Sequence, residues 1–392
     1  MKFKLAALAA AMALSSCAFA QVRGITDTEI TLGMVTDLSG PIANYGKESR
    51  NAGNMAVDEI NARGGIHGRK LKFLVEDHGY DPRKTILASQ KLVTQGNGIF
   101  AMVGTLGTAT NLAALPLLLE NKVFSFLPQG GARELYDPPS MYKVGLAPSY
   151  VQMTSSTTDY IMKKKGYKKP CILFQDDDFG REVLEGVSRY LDQVGKPLVE
   201  KTSYKRGSTD FSSQMARLKS SGCDFVFSAT TMREYIASVQ EARKLDFNPD
   251  FMGTAANYAP QIHSIGGKTM EGVYASTFIM LPYADDANPA VREFVANYRK
   301  RFNNEDPSLY SMYTYYAINT FAKLAEKTGR TLTAETFNAT MESTKLPSDA
   351  LGNPPFSVSK DNRLGIQKVR VVQVQNGKWV AISDFIDPVP LK

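Results

Sequence analysis

Histidine and cysteine are scarce in this sequence, which contains three of each among 392 residues. His67, His78 and His263 are too far apart to show the short spacings typical of a metal site. Three cysteines are also too few for a small domain held together mainly by disulfides. We therefore expect no metal, no cofactor, and a hydrophobic core of ordinary size.

The common catalytic motifs are missing as well. The sequence contains no Gly-x-Ser-x-Gly, His-Glu-x-x-His, Cys-x-x-Cys or Gly-x-Gly-x-x-Gly. Gly267-Lys268-Thr269 resembles the end of a phosphate-binding P-loop, but Ile262 stands where the first glycine is required. Because no nucleophile and base can be paired, we predict that the protein is not an enzyme, and an exported hydrolase is the weakest alternative.

Long runs of basic residues are absent, although the net charge is +7. The longest such run is Lys163 to Lys165, and the other lysines and arginines are scattered. Scattered charge indicates a solvated surface more than a groove for phosphates. We expect no nucleic acid partner. The aspartates at positions 176, 177 and 178 precede a predicted helix, where acids complement the helix dipole, so they do not predict a cation site.

The N-terminus has the pattern of a secretory signal peptide. Lys2 and Lys4 precede ten apolar residues, and Ala18-Phe19-Ala20 provides a small-x-small cleavage site. Ten apolar residues are far fewer than the roughly 20 needed to span a bilayer. We predict cleavage after Ala20 and export to the periplasm. Lipid anchoring at Cys17, within Leu14-Ser15-Ser16-Cys17, is the less favoured alternative.

Removal of this segment leaves two cysteines and lowers the net charge from +7 to +5. Cys171 and Cys223 open two predicted strands that would be neighbours in a doubly wound sheet. Export places them in an oxidising compartment. A disulfide between them and two buried thiols remain as alternatives.

The rest of the chain alternates predicted strands and helices, which is typical of βαβ units with a parallel sheet. A first block has strands at 30–35, 71–75 and 99–103 and helices at 52–60, 82–94 and 110–119. A second block has strands at 172–174, 198–204, 225–228, 251–253 and 273–278 and helices at 181–194, 211–220 and 234–245. Helices at 290–302, 309–327 and 334–341 and a β-hairpin around Asn376-Gly377 follow.

Two loops between these elements have the residues of a binding site. Residues 103–111, Val-Gly-Thr-Leu-Gly-Thr-Ala-Thr-Asn, run from a strand end into a helix start, where free backbone N–H groups and hydroxyls suit a carboxylate. The alternative is a helix capped by hydroxyls that binds nothing. The second loop, residues 127–132, has glycines that allow backbone to approach a ligand closely.

These loops carry a resemblance to a known family, together with Leu38 to Gly46, Gly64 to Arg69 and Thr209 to Phe211. The mature chain resembles, over nearly its whole length, the periplasmic solute-binding proteins of branched-chain amino acid type ABC transporters. The resemblance implies an α/β fold with two Rossmann-like lobes joined by three crossovers, the type I periplasmic binding protein fold. It places residues 21–145 and 280–353 in one lobe and residues 146–279 and 354–392 in the other, after the signal peptide of residues 1–20.

The resemblance also implies a ligand site in the cleft between the lobes. Its expected residues are Tyr45, Gly107, Thr108, Gln129, Gly130, Gly131, Phe179, Thr231, Met232 and Asn257. Thr108 matches the hydroxyl residue that binds a carboxylate. Gly131 lacks the hydroxyl found in the amino acid binders, and Ala255 occupies the place of their ammonium-pairing acid. An unpaired ammonium in a closed cleft is costly, so we expect a carboxylate with an apolar or aromatic body.

The expected function is therefore that of an extracytoplasmic solute-binding component of an ABC importer. It would bind a small carboxylate, close around it, and deliver it to a permease in the inner membrane as a monomer. The alternative is a periplasmic ligand sensor that uses the same two lobes to signal to a membrane receptor.

Overall fold

The computed structural model describes residues 22–391. The predicted signal peptide, its cleavage site and Cys17 lie outside these residues. Within residues 22–391 no helix is both long enough and apolar enough to cross a membrane. The described chain forms two β-sheets with helices packed on both, so the predicted α/β fold class is confirmed.

The first sheet has five parallel strands in the order β2-β1-β3-β4-β5. The strands are β1 (Glu29–Thr36), β2 (Lys70–Asp77), β3 (Ala101–Val103), β4 (Phe124–Phe126) and β5 (Lys143–Val144). Between them run the helices α1 (Ala43–Ala62), α2 (Pro82–Thr94) and α3 (Thr108–Glu120). Strands β1, β2 and β3 are each followed by a helix that returns the chain for parallel pairing, and a segment with one 3₁₀ turn (Arg133–Leu135) joins β4 to β5.

Local sequence signals set the ends of these helices. Asp81 precedes α2, and its side chain accepts hydrogen bonds from the backbone N–H groups of Arg83 and Lys84. Pro82 follows at the first helical position, where its missing N–H costs nothing. The chain leaves α1 through Gly64 and Gly65, whose φ angles are +104° and +76°. Such left-handed conformations favour glycine, so this pair stops the helix.

The second sheet has seven strands in the order β12-β11-β10-β9-β8-β6-β7. The strands are β6 (Pro170–Gln175), β7 (Glu200–Tyr204), β8 (Phe225–Ala229), β9 (Asp250–Gly253), β10 (Tyr274–Thr277), β11 (Arg370–Gln375) and β12 (Lys378–Ala381). Helices α4 (Tyr150–Lys165), α5 (Asp178–Gln193), α6 (Ser212–Ser220), α7 (Met232–Lys244) and α8 (Gln261–Gly266) lie along this part of the chain. The last two strands pair antiparallel as the predicted hairpin.

Helix α4 is the main element that the sequence interpretation missed. Its centre is the run of serines and threonines at positions 154 to 158, residues that usually favour turns and caps over helix interiors. In the structure these side chains are buried, and several hydroxyls donate to carbonyls one turn earlier, such as Thr154 to Tyr150 at 2.6 Å and Thr157 to Met153 at 2.9 Å. The helix satisfies four of these five hydroxyls with its own carbonyls, and only that of Thr158 is left without a partner, which lets a polar segment be buried.

Three later helices return to the first sheet: α9 (Pro289–Arg301), α10 (Leu309–Thr328) and α11 (Ala334–Ser343). Phe321 of α10 and Phe337 of α11 pack with Phe100 and Phe124, and these rings have centroid separations between 5.1 and 6.0 Å. We call the first sheet with its helices the first lobe and the second sheet with its helices the second lobe. The lobe boundaries given by the sequence stay a prediction.

Cys171 and Cys223 form a disulfide in the second lobe. Cys171 lies in β6, and Cys223 lies two residues before β8, the strand that pairs with β6. Both side chains are buried. The bond therefore fixes two neighbouring strands at their amino ends, away from the loops that follow the carboxyl ends of the strands.

Candidate functional site

A cavity lies in the cleft between the lobes, where loops that follow the strands of both sheets meet. It has two adjoining parts, each with a volume of about 30 Å³, which share Gln129, Tyr150, Ala256 and Tyr310 in their walls. We call the two parts together the central cavity. Its first-lobe wall comes from the loops after β3 and β4 and from the start of α10.

The start of α3 gives this wall a cluster of free donors. The backbone N–H groups of Thr108 and Ala109 have no acceptor among residues 22–391, and neither does the hydroxyl of Thr108. Thr108 lines the cavity and is 2% exposed. Unpaired amides at a helix N-terminus, with the helix dipole behind them, favour an anion.

Gly107 allows an anion to come close to these N–H groups. Its φ angle is +98°, and a Cβ atom there would lie 2.5 Å from Oγ1 of Thr110 and 2.9 Å from the ring of Tyr80. Any other residue at position 107 would therefore strain the backbone and push the loop out of place. Asn111 holds the same loop from behind, because its Nδ2 donates to the carbonyls of Thr105 and Gly107.

The loop after β4 adds two more free N–H groups, those of Gly130 and Gly131, which have no acceptor among the described residues. Gln129, in contrast, is fully engaged within the first lobe. Its Oε1 accepts from Ser49 at 3.1 Å, and its Nε2 donates to Thr314 at 2.7 Å. Gln129 therefore positions the glycines, although the resemblance assigned it to direct binding.

Tyr45 joins the two lobes above the cavity. Its hydroxyl donates to the carbonyl of Ala256 at 2.8 Å and accepts from the N–H of Met232 at 2.8 Å, and both partners belong to the second lobe. Its ring stacks on Tyr310 with a centroid separation of 4.0 Å. Tyr45 lines the cavity as predicted from the resemblance, and it also occupies the Met232 N–H that would otherwise face a ligand.

The second-lobe wall has few free polar groups. The hydroxyl of Thr231 donates to the buried carboxylate of Glu234, and burial raises the pKa of that carboxylate. Phe179 presents only its ring. Asn257 does not line the cavity: it is fully buried, its Oδ1 accepts from the N–H of Thr254, and its Nδ2 donates to Thr230. The structure thus brings eight of the ten predicted residues to the walls of the central cavity and leaves Met232 and Asn257 outside them.

Five aromatic residues of the cavity wall were missed by sequence reasoning: Tyr80, Tyr150, Phe278, Tyr310 and Tyr313. Tyr80 follows the carboxyl end of β2, which is a signal that could have identified it. Phe278 directly follows the carboxyl end of β10 and shares that signal, whereas Tyr150, Tyr310 and Tyr313 lie near helix starts, where the sequence shows no comparable pattern. The wall is therefore more aromatic than the sequence suggested.

A charged contact closes one side of the cleft. Arg206 of the second lobe donates to the carbonyl of Tyr80 in the first lobe and lies 4.1 Å from the centroid of its ring. Asp177 pairs with Arg206 at 2.6 Å and caps α5 through the N–H of Gly180. The predicted role of these aspartates at a helix start agrees with this geometry. Among residues 22–391 no cluster of acids, histidines and cysteines could hold a metal ion.

The charge of the central cavity follows from these contacts. None of the residues that line its two parts is an aspartate or a glutamate. The carboxylates nearest in the second lobe, Asp177 and Glu234, already accept hydrogen bonds from Arg206 and Thr231. The cavity therefore offers hydrogen-bond donors and aromatic rings, and it offers no free carboxylate for a cation.

Comparison with known proteins agrees with this description. A family model for a periplasmic binding protein matches residues 29–378. The Leu/Ile/Val-binding protein homolog 7 of Brucella abortus is 26% identical over 330 residues, which cover 81% of this chain and 82% of that protein. A branched-chain amino acid ABC transporter structure from Thermus thermophilus with bound valine has a TM-score of 0.83 at 18% identity, covering 92% of this chain and 97% of that one. A solute-binding protein from R. palustris in complex with benzoate has a TM-score of 0.79 at 16% identity, with the same coverage of both chains.

Proposed function

This chain belongs to the periplasmic binding protein family, and from that membership we propose that it is the solute-binding component of an ABC importer. Its ligand is a small carboxylate with an apolar or aromatic body and no ammonium group. The observation that carries this proposal is the pairing of free donors on α3 with a cavity wall that has no acidic residue.

The carboxylate binds at the start of α3. Thr108 donates from its backbone and its hydroxyl, and the N–H groups of Gly130 and Gly131 complete the set. Hydrogen bonds to a charged group contribute about 1.5 to 3 kcal/mol each, more than bonds between neutral groups. Because these donors are fixed by the loop contacts of Asn111 and Gln129, little ordering cost arises on binding.

The body of the ligand lies among rings and apolar side chains. Tyr150, Phe179 and Tyr310 border the cavity, and Met153 and Leu309 add aliphatic surface. Flat aromatic walls favour a planar or branched apolar group, which gains by leaving water. The solved structures of similar fold include one that holds valine and one that holds benzoate, so this fold takes both kinds of body.

An amino acid fits less well than the corresponding acid without its amino group. A buried ammonium needs a carboxylate or several acceptors, and its burial without them costs several kcal/mol. The cavity walls contain no carboxylate. This separates the proposed ligand from valine, which the Thermus thermophilus protein binds.

Binding couples to closure of the cleft. The contacts of Tyr45 and Arg206 cross between the lobes directly beside the cavity, so a ligand held by both walls favours the closed form. The permease recognises that form and receives the ligand when the lobes part. Export to the periplasm, expected from residues 1–20, places the protein beside such a permease, and the disulfide suits an oxidising compartment.

A thermal-shift series on the mature protein tests the proposal. The panel contains aromatic, branched aliphatic and dicarboxylic acids together with leucine and valine. A ligand present at a hundredfold excess over its Kd stabilises the folded protein by about 2.7 kcal/mol, which is readily seen. We expect at least one monocarboxylic acid to do so. Strong stabilisation by leucine or valine with no response to any acid would overturn the proposed ligand class.

A further inference from the structure

The ring of Tyr150 and the glycine at position 131 occupy one another's space. A Cβ atom on Gly131 would lie 2.4 Å from Cδ2 and 2.7 Å from Cε2 of Tyr150. The φ angle of Gly131 is not among the positive values, so its backbone conformation would accept another residue. Position 131 is therefore glycine because the aromatic ring fills the volume of its side chain.

Tyr150 is held firmly in this place. It is the first residue of α4, and its N–H donates to the carbonyl of Gly131 at 2.8 Å. Its ring meets the edge of Phe179, with a centroid separation of 4.9 Å and an interplanar angle of 65°. A shift of the ring away from Gly131 would disturb its packing against Phe179.

The hydroxyl of Tyr150 has no hydrogen-bond partner among residues 22–391, although the residue borders both parts of the central cavity. Two other tyrosines in the wall are engaged, Tyr45 with Ala256 and Met232 and Tyr313 with the carbonyl of Pro128 at 3.1 Å, whereas the hydroxyl of Tyr310 also has no partner among residues 22–391. Burial raises the pKa of Tyr150, so its hydroxyl stays protonated and can donate. Tyr150 is partly buried and borders the cavity, so its unpaired hydroxyl is available to a ligand.

We propose that Tyr150 is the specificity-determining residue of the cavity, donating its hydroxyl to the ligand carboxylate in place of a side chain at position 131. Its ring covers Gly131 and leaves no room beside the carboxylate for a substituent such as an ammonium group. The inference rests on the proposed function and deepens it: the pair of Tyr150 and Gly131 selects acids without an α-amino group over the corresponding amino acids.

Matched ligand pairs make the test specific. 3-Phenylpropanoate and phenylalanine, like 4-methylpentanoate and leucine, differ only in the ammonium group. Calorimetric Kd values for all four ligands are measured with the mature wild-type protein and with Tyr150→Phe. This variant keeps the ring, its packing on Gly131 and its contact with Phe179. We expect Tyr150→Phe to bind the preferred acid about tenfold to a hundredfold more weakly.

Tyr160→Phe is the matched control. Tyr160 lies on the same helix, outside the cavity wall, and its hydroxyl donates to the carbonyl of Ile382. This substitution removes the same atom at a remote position, so the Kd values of the acids should stay within twofold of the wild type. A similar loss of affinity in both variants would show a general effect on the fold and would overturn the role of Tyr150.

A double-variant cycle tests the steric part of the inference. Gly131→Ser in the wild-type background places a Cβ atom against the ring, so we expect a lower Tm and loss of acid binding. In the background of Tyr150→Ala the same serine has room and returns a hydroxyl beside the carboxylate. We expect the double variant to bind acids at least fivefold more tightly than Tyr150→Ala alone. Additive effects of the two substitutions would contradict the inference.

The outcomes separate the two proposals. If wild-type protein binds an acid and Tyr150→Phe binds it equally well, the role of Tyr150 is wrong while the proposed function stands. If wild-type protein binds phenylalanine or leucine more tightly than the matched acid, the selectivity inferred here is wrong. If no acid and no amino acid binds, the proposed function fails and this inference fails with it.

Discussion

The two walls of the central cavity differ in what they leave free. In the first lobe, the N–H groups of Thr108, Ala109, Gly130 and Gly131 have no acceptor among the described residues. In the second lobe, the hydroxyl of Thr231 is bonded within its own lobe, and the N–H of Met232 is bonded to Tyr45 across the cleft. The first lobe therefore offers most of the free donors for a carboxylate, and the second lobe contributes apolar surface together with the hydroxyl of Tyr150.

The difference between the two cavity walls has a physical basis. A carboxylate needs fixed donors, and a loop that enters a helix provides several at once. A closing lobe needs contacts that form only when the cleft shuts, and Tyr45 and Arg206 provide them between the lobes.

The largest effect is expected from the disulfide of the second lobe. Replacing both Cys171 and Cys223 by serine frees a loop of 52 residues in the unfolded chain. The entropy of closing a loop of this length corresponds to about 4 kcal/mol of stability. We expect urea unfolding to show a loss of about that size. Acid affinity at low temperature should remain within twofold, because the bond lies away from the cavity.

If replacing both cysteines by serine lowered acid affinity as much as a substitution in the first-lobe wall, the inferred difference between the two walls would be wrong. It would mean that the second lobe sets the recognition geometry through its sheet. The control is the wild-type protein treated with reductant under native conditions, since the buried bond should resist reduction there.

The next effect separates the walls directly. Thr108→Val removes a free hydroxyl from the first-lobe wall and should weaken acid binding by about 1 to 3 kcal/mol. Thr231→Val is the matched substitution across the cleft. Its hydroxyl already donates to Glu234, so we expect a loss of stability and a smaller loss of affinity. Calorimetry of both variants with one acid provides the comparison. Equal losses of affinity would place the carboxylate between the lobes.

The smallest effect concerns a contact between the lobes outside the cavity. Glu48 of α1 accepts from Gln261 of α8 at 2.9 Å and also from Ser308. Burial raises its pKa from 4.5 to about 7, against the opposing effect of these hydrogen bonds. The folded state then holds this proton more tightly than the unfolded state. Stability should fall as the pH rises from about 4.5 to about 7.

Glu48→Gln removes this contribution. The slope of the unfolding free energy between pH 5 and 7 should decrease by up to about 1.4 kcal/mol per pH unit. Glu182, whose pKa burial also raises to about 7, keeps part of the slope in the variant. Urea unfolding at several pH values measures the difference. An unchanged slope would show that Glu48 titrates alike in the folded and unfolded states.

The sequence predicted most of the fold because its signals are local. Asp81-Pro82 marks the start of α2, Gly64-Gly65 the end of α1, and Asn376-Gly377 the hairpin turn, where both residues have positive φ angles. Helix α4 was missed because five of its nine buried residues are serines and threonines, most of whose hydroxyls bond to carbonyls of the helix itself. These hydrogen bonds exist only once the helix has formed, so the sequence pattern does not show them.

The sequence predicted those site residues that follow the ends of strands. Thr108 and Gly131 follow β3 and β4, and such loops meet at the edge of a parallel sheet. Tyr150 and Tyr310 reach the cavity from the starts of α4 and α10, which only tertiary packing brings there. Asn257 was assigned from the resemblance, but its amide is needed to hold the loop after β9. Whether a residue near the cavity lines it depends on the direction of its side chain, and the local sequence does not encode that direction.

The central claim is that the cavity binds a carboxylate and has no place for an ammonium group. Mass spectrometry of the compound released from protein purified without denaturation tests it most directly, because the cell itself then supplies the ligand. The account predicts a monocarboxylic acid with an aromatic or branched apolar body and no primary amine. Release of leucine, valine or any other α-amino acid in stoichiometric amount would contradict it.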